Sequence, residues 1–367
     1  VWPKREDARR RILANLRSST VLILITCVCM IPAVHALVKV SDDYLAIIDN
    51  LQFTLPIVMS LVKLIILCEY VINPMIAEDW ARTKIKEERM VMIRRGITVR
   101  KINICGYLMM IGSYLSLVAF PAFGISFRYL TNITDQGRPL PMQGYYFYNV
   151  KDSPYFELTF LAQAITIACA AVSYTGADSF LGLLIFHISG QLEILRNRIS
   201  NIKKQKAFDY ALTVNVRDHV RLIRSVQVVQ RTFQLLLLGL LFYFSIFFCL
   251  YGFVIITVIT CKNKFSVSRL LCLILIIATA LTHTCLCCIV GEILAAQVGK
   301  IFYNAVCVCA WEELSAKQAR ALILVMSQAS KPLYVKAGNV WPMTMRMFCS
   351  LLKMSAGYIS FLLAKIE

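Results

Sequence analysis

Charge is scarce in this chain. Only 16% of its 367 residues are Asp, Glu, Lys or Arg, and acidic side chains number 21. Soluble domains carry about 25% charged residues, so this chain has too little charge to coat a water-facing surface. That excludes an ordinary soluble enzyme, a coiled coil and a disordered segment. Catalytic groups are thin as well. The four histidines, His35, His187, His219 and His283, are scattered. There is no phosphate-binding glycine loop, no dinucleotide fingerprint and no G-x-S-x-G elbow. Enzymatic chemistry has little support and no cofactor is expected. Low-complexity linkers and clear internal repeats are missing too, which weakens a transporter built from inverted halves.

What the chain has is apolar length. Hydrophobic residues make up 58% of it. Seven stretches reach the roughly 20 residues that a spanning helix needs: 20–40, 44–71, 103–127, 156–190, 233–260, 267–302 and 343–363. They predict an all-α membrane protein with seven transmembrane helices. Span one is too long for a cleaved signal peptide, and no small-residue cleavage site follows it. The chain opens on Val1, so a trimmed N-terminus is expected. Pro32, Pro56 and Pro121 fall inside spans, where proline is tolerated if neighbours satisfy the freed carbonyls. Most of the 14 cysteines, such as Cys27, Cys68 and Cys249, lie in apolar runs and do not form a secreted disulfide framework.

A net charge of +18 would point to nucleic acid in a soluble protein. Here the basic residues alternate between loops. They cluster before span one (Lys4, Arg5, Arg9, Arg10, Arg11, Arg17), between spans two and three (Arg82 to Lys101), between spans four and five (Arg196 to Arg231), and around Lys317 and Arg320. The intervening loops are poorer in Lys and Arg. The positive-inside rule then puts the N-terminus in the cytoplasm and the C-terminus outside, the reverse of a G-protein-coupled receptor. Lipid, not nucleic acid, is the expected partner of this charge. The sequon at Asn132 falls in a loop this topology places outside, where it is open to glycosylation. Residues 194–230 carry apolar side chains at Ile199, Ile202, Leu212, Val216, Val220, Ile223 and Val226 among many charges, and 310–330 repeat the trend with Trp311, Leu314, Leu322 and Val325. That spacing predicts helices with one buried face, packed below the membrane.

Residues that invite chemistry have plainer readings beside them. Cys285 and Cys288 have C-x-x-C spacing near His283, but they lie in an apolar span, and small Cys and Thr side chains suit helix packing in lipid. No metal site is expected. Ionisable residues inside spans are functional hypotheses by default. Lys63 and Glu69, in the inner half of span two, are read as snorkelling to the interface. Asp178 and Glu292 fall near inner ends of spans four and six. Lys353, at the middle of span seven, should face water or a partner. Phe53, Tyr114, Phe120, Phe160 and Gln163, in outer halves of spans, either line a cavity for a small apolar ligand or simply pack the bundle.

The C-terminal stretch carries a specific pattern: Trp311-Glu312-Glu313-Leu314, then Ser327-Gln328-Ala329-Ser330-Lys331-Pro332, Lys336-Ala337-Gly338-Asn339, Pro342, Phe348, Leu352-Lys353-Met354-Ser355 and Tyr358 to Leu363. This resembles the insect odorant receptor family. Related gustatory receptors end in T-Y-x-x-x-x-x-Q-F, whereas here Gly357 precedes Tyr358 and Ala364-Lys365 stand at the end of the motif. The similar odorant co-receptor carries a long insertion between spans four and five that this chain lacks. The resemblance therefore implies an odorant-specific tuning subunit of an odorant-gated, non-selective cation channel in the plasma membrane of olfactory sensory dendrites, working with co-receptor subunits in a heterotetramer. A gustatory-type receptor channel and a secondary transporter are the rivals. The family pattern implies helices one to six with their loops over 1–302, a cytoplasmic anchor over 303–342 with Trp311 at a subunit contact, and a pore-lining helix over 343–367. It places the pore constriction near Phe361, Ala364 and Lys365, and a ligand pocket among spans two, three, four and six. The residues assigned to that pocket are Phe53, Tyr114, Leu117, Phe120, Phe160, Gln163, Ile167 and Ile274. They are chiefly apolar, so the expected ligand is a small volatile held by shape and dispersion.

Overall fold

The computed structural model describes residues 8–42, 44–69, 79–81, 85–123, 139–142, 144–202, 208–260, 267–297, 314–329 and 334–364, with the single positions 76 and 307. Trp311, Asn132 and Lys365, each singled out by the sequence, lie outside these described residues. The chain is a bundle of long helices: α1 (Ala8–Leu24), which passes through a π-helical turn (Ile25–Met30) into α2 (Ile31–Lys39), then α3 (Tyr44–Glu69), α4 (Lys86–Ala122), α5 (Tyr155–Ser200), α6 (Phe208–Thr260), α7 (Val267–Ala296), α8 (Ala316–Ala329) and α9 (Met345–Ala364). A short hairpin, β1 (Lys336–Ala337) and β2 (Trp341–Pro342), precedes α9. Six of these helical segments, α1–α2 counted as one, are long and apolar enough to cross a membrane. The 20-residue α9, which carries Arg346 and Lys353, is not among the six.

Length separates the spanning part of each helix from the rest. At about 1.5 Å per residue, the 46 residues of α5 and the 53 of α6 reach about 70 and 80 Å, over twice the roughly 30 Å of a hydrocarbon core. The amphipathic stretch expected over 194–230 is therefore the projecting ends of two continuous helices. Similarly α4 starts at Lys86, so much of the basic segment between spans two and three is helix, not loop.

Two prolines show how the bundle tolerates broken backbone. Proline has no N–H and crowds the carbonyl four residues earlier. For Pro32 that carbonyl belongs to Val28, in the π-helical turn, and it accepts a hydrogen bond from the Tyr146 hydroxyl at 3.0 Å. For Pro56 it belongs to Gln52, and the Tyr251 hydroxyl approaches it at 3.4 Å. Each freed acceptor thus meets a tyrosine from a distant element, as burial in lipid requires.

One end of the bundle gathers most of the ion pairs. Arg198 of α5 grips Glu88 of α4 with two bonds, at 2.6 and 2.8 Å, and reaches Asp218 of α6 at 3.1 Å. Arg95 holds Glu193 at 2.6 Å. Asp79, almost wholly buried, meets His187 at 2.9 Å and the Arg221 guanidinium. Burial alone pushes the Asp79 carboxyl up, but its hydrogen bond with His187 and the Arg221 charge outweigh that, holding it below its ordinary value. Charged residues of α4, α5 and α6 meet here because the amphipathic extensions turn polar faces toward one another.

The hairpin positions α9. Gly338 and Asn339 both have positive φ, 56° and 62°, which a turn this tight needs and which glycine and asparagine tolerate. Gln230 of α6 binds the hairpin edge twice, accepting from Lys336 N at 2.6 Å and donating to Lys336 O at 2.8 Å. Gly338 N donates to Gln234 O at 2.9 Å. Glu292 of α7 then accepts from Met345 N at 3.0 Å, capping the first turn of α9.

Candidate functional site

Away from that ion-paired end, α3 to α7 line a cavity of about 190 Å³. From α3 come Gln52, Phe53, Pro56, Ile57 and Ser60; α4 adds Met110, Ser113, Tyr114 and Leu117. The α5 wall includes Ile167, Tyr174 and Thr175; α6 gives Tyr243, Phe247 and Tyr251, and α7 gives Ile276, Thr279, Ala280 and His283. Positions 52, 53, 56, 57 and 60 repeat at helical spacing, so one stripe of α3 forms a continuous wall. That wall runs eight residues, or about 12 Å.

Of the residues assigned to a pocket by sequence, Phe53, Tyr114, Leu117 and Ile167 line this cavity. Four do not. Phe120 lies one turn beyond Leu117, past the lining. Phe160 packs against Phe156, ring centroids 6.2 Å apart. Ile274 is 49% exposed, turned outward from the lining face that Ile276 and Ala280 share. Gln163 is buried but fully engaged: it accepts from Met142 N at 2.9 Å and donates to Met142 O at 3.1 Å and the Tyr146 hydroxyl at 2.8 Å. Its role is to hold Met142, which does face the cavity. Sequence reasoning missed the whole α6 wall. The signal was present as Tyr243, Phe247 and Tyr251 at four-residue spacing, which reads equally as core.

The cavity floor is polar. Lys63 has no exposure, and its ammonium meets both Asp178 carboxylate oxygens at 2.7 Å. It also lies 3.2 Å from the centre of the Tyr174 ring, within cation–π range. His283 Nδ1 approaches Asp178 at 3.2 Å, and Tyr174 and His283 reach the cavity itself. The expectation that Lys63 snorkels to an interface is corrected by this geometry. A fully buried ammonium needs a counter-ion, and α5 supplies it from the adjacent helix face. His283 is thus engaged in a carboxylate cluster, separate from Cys285 and Cys288.

A second feature is the face of α9 left uncovered by the described residues of the chain. Leu351 and Ser355 are buried, with Ser355 donating to Leu351 O at 2.9 Å and lying 3.5 Å from Ser245 O of α6. Arg346, Ser350, Lys353, Gly357, Phe361 and Ala364 form the opposite, exposed stripe, with Phe361 67% exposed.

The sequence and the fold match known proteins. The sequence profile of the 7tm odorant receptor family matches residues 43–356. Odorant receptor 10 of Aedes albopictus is 23% identical over 233 residues, covering 57% of this chain and 56% of that protein. Odorant receptor 13a of Drosophila melanogaster is 23% identical over 249 residues, covering 62% and 58%. Odorant receptor Or2 of Anopheles gambiae is 37% identical over 65 residues, 18% of this chain and 16% of that protein. The alignments thus span under two thirds of the relatives' length. Among solved structures, the olfactory receptor OR5 from Machilis hrabei in complex with eugenol superposes with a TM-score of 0.82 at 15% identity, covering 99% of this chain and 93% of that one. A second structure of OR5 from Machilis hrabei gives a TM-score of 0.76 at 15% identity, covering 98% of this chain and 92% of that one. With this profile spanning most of its length, and with a multi-pass helical fold, the chain belongs to the 7tm odorant receptor family.

Proposed function

We propose that this chain is the odorant-tuned subunit of an odorant-gated, non-selective cation channel. A small, neutral, mostly apolar volatile occupies the cavity among α3 to α7, and its binding opens a pore at the centre of a tetramer shared with co-receptor subunits. The observation that carries the reading is the largely apolar cavity between helices in a chain of this family. Its volume exceeds the roughly 150 Å³ apolar cavity that accepts benzene, and the similar solved receptor was determined with eugenol, a molecule of the expected class.

The pore belongs to α9. Its uncovered stripe carries Lys353, small residues and Phe361, and a helix lining water needs such a mixed face where a lipid-facing helix would be apolar throughout. Phe361 and Ala364, with Lys365 beyond the described residues, stand at the constriction, where an aromatic ring gates by dewetting. The K/R distribution supports a cytoplasmic N-terminus. In that orientation the ion-paired ends of α4, α5 and α6 form an anchor with 303–342 and Trp311 at the subunit contact, helices one to six with their loops fill 1–302, 343–367 line the pore, and Asn132 is an extracellular glycosylation site in a sensory-dendrite membrane. The test is odorant-evoked current from cells expressing this chain with and without a co-receptor. Current only in the pair is expected; robust current from this chain alone overturns the need for a partner, and silence in a surface-expressed pair overturns the receptor assignment.

A further inference from the structure

The cavity walls supply shape but little orientation, so its polar atoms decide how a ligand lies. Nearly every polar side chain on the wall is already occupied. Ser60 donates to Pro56 O at 2.9 Å, the Ser113 and Thr279 hydroxyls share a bond at 2.7 Å, Tyr114 donates to Ala164 O at 3.2 Å, and His283 meets Asp178. Among the described residues of this wall, two buried polar atoms have no partner: Gln52 Nε2 and Thr175 Oγ1. Both residues line the cavity, and they are only 1% and 2% exposed. Thr175 departs from its neighbours on α5, since Thr159, Thr166 and Ser173 all donate to the carbonyl four residues earlier.

A buried donor with no acceptor is costly, and native structures rarely leave one unless something absent completes it. We propose that this cavity selects neutral volatiles carrying an acceptor oxygen, and that Gln52 Nε2 is the donor that reads it. The inference rests on the cavity being the odorant site. An amide N–H only donates, so its complement is a carbonyl, ether, ester or hydroxyl oxygen. An anion is excluded by the neighbourhood: Lys63, the cation beneath the floor, is committed to Asp178, and a carboxylate in this apolar enclosure would go unpaired. A pure hydrocarbon fills the volume but leaves Gln52 unmet. Gln52 sits eight residues along α3 from Ser60, at the other end of the wall, so the oxygen belongs at one end of an apolar body of about 12 Å or less.

The test compares volatiles of one skeleton, n-octane, 1-octanol, 2-octanone and octanoate, on this chain co-expressed with a co-receptor. We expect 1-octanol and 2-octanone to act at about tenfold lower concentration than n-octane, with octanoate ineffective. Gln52→Met keeps length and flexibility without the donor, and should bring 2-octanone to within about twofold of n-octane. Thr175→Val should leave the oxygen advantage in place. Equal potency of octane and its oxygenated analogues in the unaltered receptor means bound water already satisfies Gln52, and overturns the inference. So does an advantage that survives Gln52→Met, or one lost in Thr175→Val instead. In those outcomes current persists and the receptor reading stands, whereas silence to every odorant applied to a surface-expressed pair removes both.

Discussion

A lysine withdrawn entirely from water persists only if its charge is met, and Lys63 is met by both oxygens of Asp178 and by the face of Tyr174. Removing one member of such a pair leaves the other charge buried, which costs about 3–5 kcal/mol. Replacing both by apolar groups of similar size avoids that penalty. Lys63→Met should therefore cut surface expression and lower the Tm of the purified protein, and Lys63→Met combined with Asp178→Leu should regain a large part of the loss. If the double variant is as damaged as the two single effects added together, the pair is not coupled. This pairing was illegible in the sequence. The partners lie 115 positions apart, and the inner-half location of Lys63 argues equally for an interface. Hydropathy locates a residue along a helix axis, but only the packed bundle sets the direction it faces. The same ignorance of rotation put Phe160 and Ile274 in the pocket by helical phase and left out Tyr174 and Tyr251. Ile167 and Tyr114 were chosen on the same helical phase as Phe160, and the fold turns these two toward the cavity.

The hairpin before α9 is where a sequence motif acquires a mechanical reason. Lys336-Ala337-Gly338-Asn339 carried the family resemblance without explaining it. In the fold, Gly338 takes a positive φ, and a Cβ there would also press on the Leu238 side chain at 2.9 Å. A β-branched residue at such a backbone conformation costs on the order of 1–3 kcal/mol. Gly338→Val should lower Tm and reduce odorant-evoked current by shifting the start of α9, while a substitution at exposed Val340 leaves both near normal. Gly291 of α7 is constrained differently. A Cβ there would overlap the Met343 carbonyl oxygen, which is backbone and cannot yield. Gly291→Ala is therefore expected to disturb the same junction, including the Glu292 cap on Met345. The readout is evoked current normalised to surface protein; unchanged current in both variants would mean that α9 does not depend on this hairpin for its placement. At this scale six of the seven expected spans were legible, because a run of about 20 apolar residues has few alternatives. The continuity of α5 and α6 beyond the membrane showed only as amphipathic spacing with no fixed end.

For the whole molecule, the bundle divides its work between two regions that share helices. The aromatic wall of α6 faces the cavity, while further positions on α6 pack against α9: Ser245 O lies beside Ser355, and Gly252 lets Ile359 approach. A ligand that pushes on Tyr243, Phe247 or Tyr251 thus acts on a helix already in contact with the proposed pore. That route fits the proposed channel opening through α6, in which the cavity lining would set the tuning. Within an apolar pocket one methylene is worth about 1–3 kcal/mol, so potency should grade smoothly along a homologous odorant series. Tyr114 is the sharpest test. Its ring lines the cavity while its hydroxyl is tied to Ala164 O at 3.2 Å, so Tyr114→Ala both enlarges the cavity and frees α4 from α5. Phe160, packed on Phe156 outside the lining, should behave as an ordinary surface-helix residue. Dose–response curves across the series, recorded with a co-receptor, should show Tyr114→Ala moving the optimum toward longer odorants, with potency for the best unaltered-receptor ligand falling about tenfold. Phe160→Ala and the outward-facing control Leu115→Ala, 55% exposed, should keep the original rank order. If Phe160→Ala reorders the series and Tyr114→Ala does not, the odorant binds nearer the start of α5 than this cavity, and the assignment of the cavity as the tuning site is wrong.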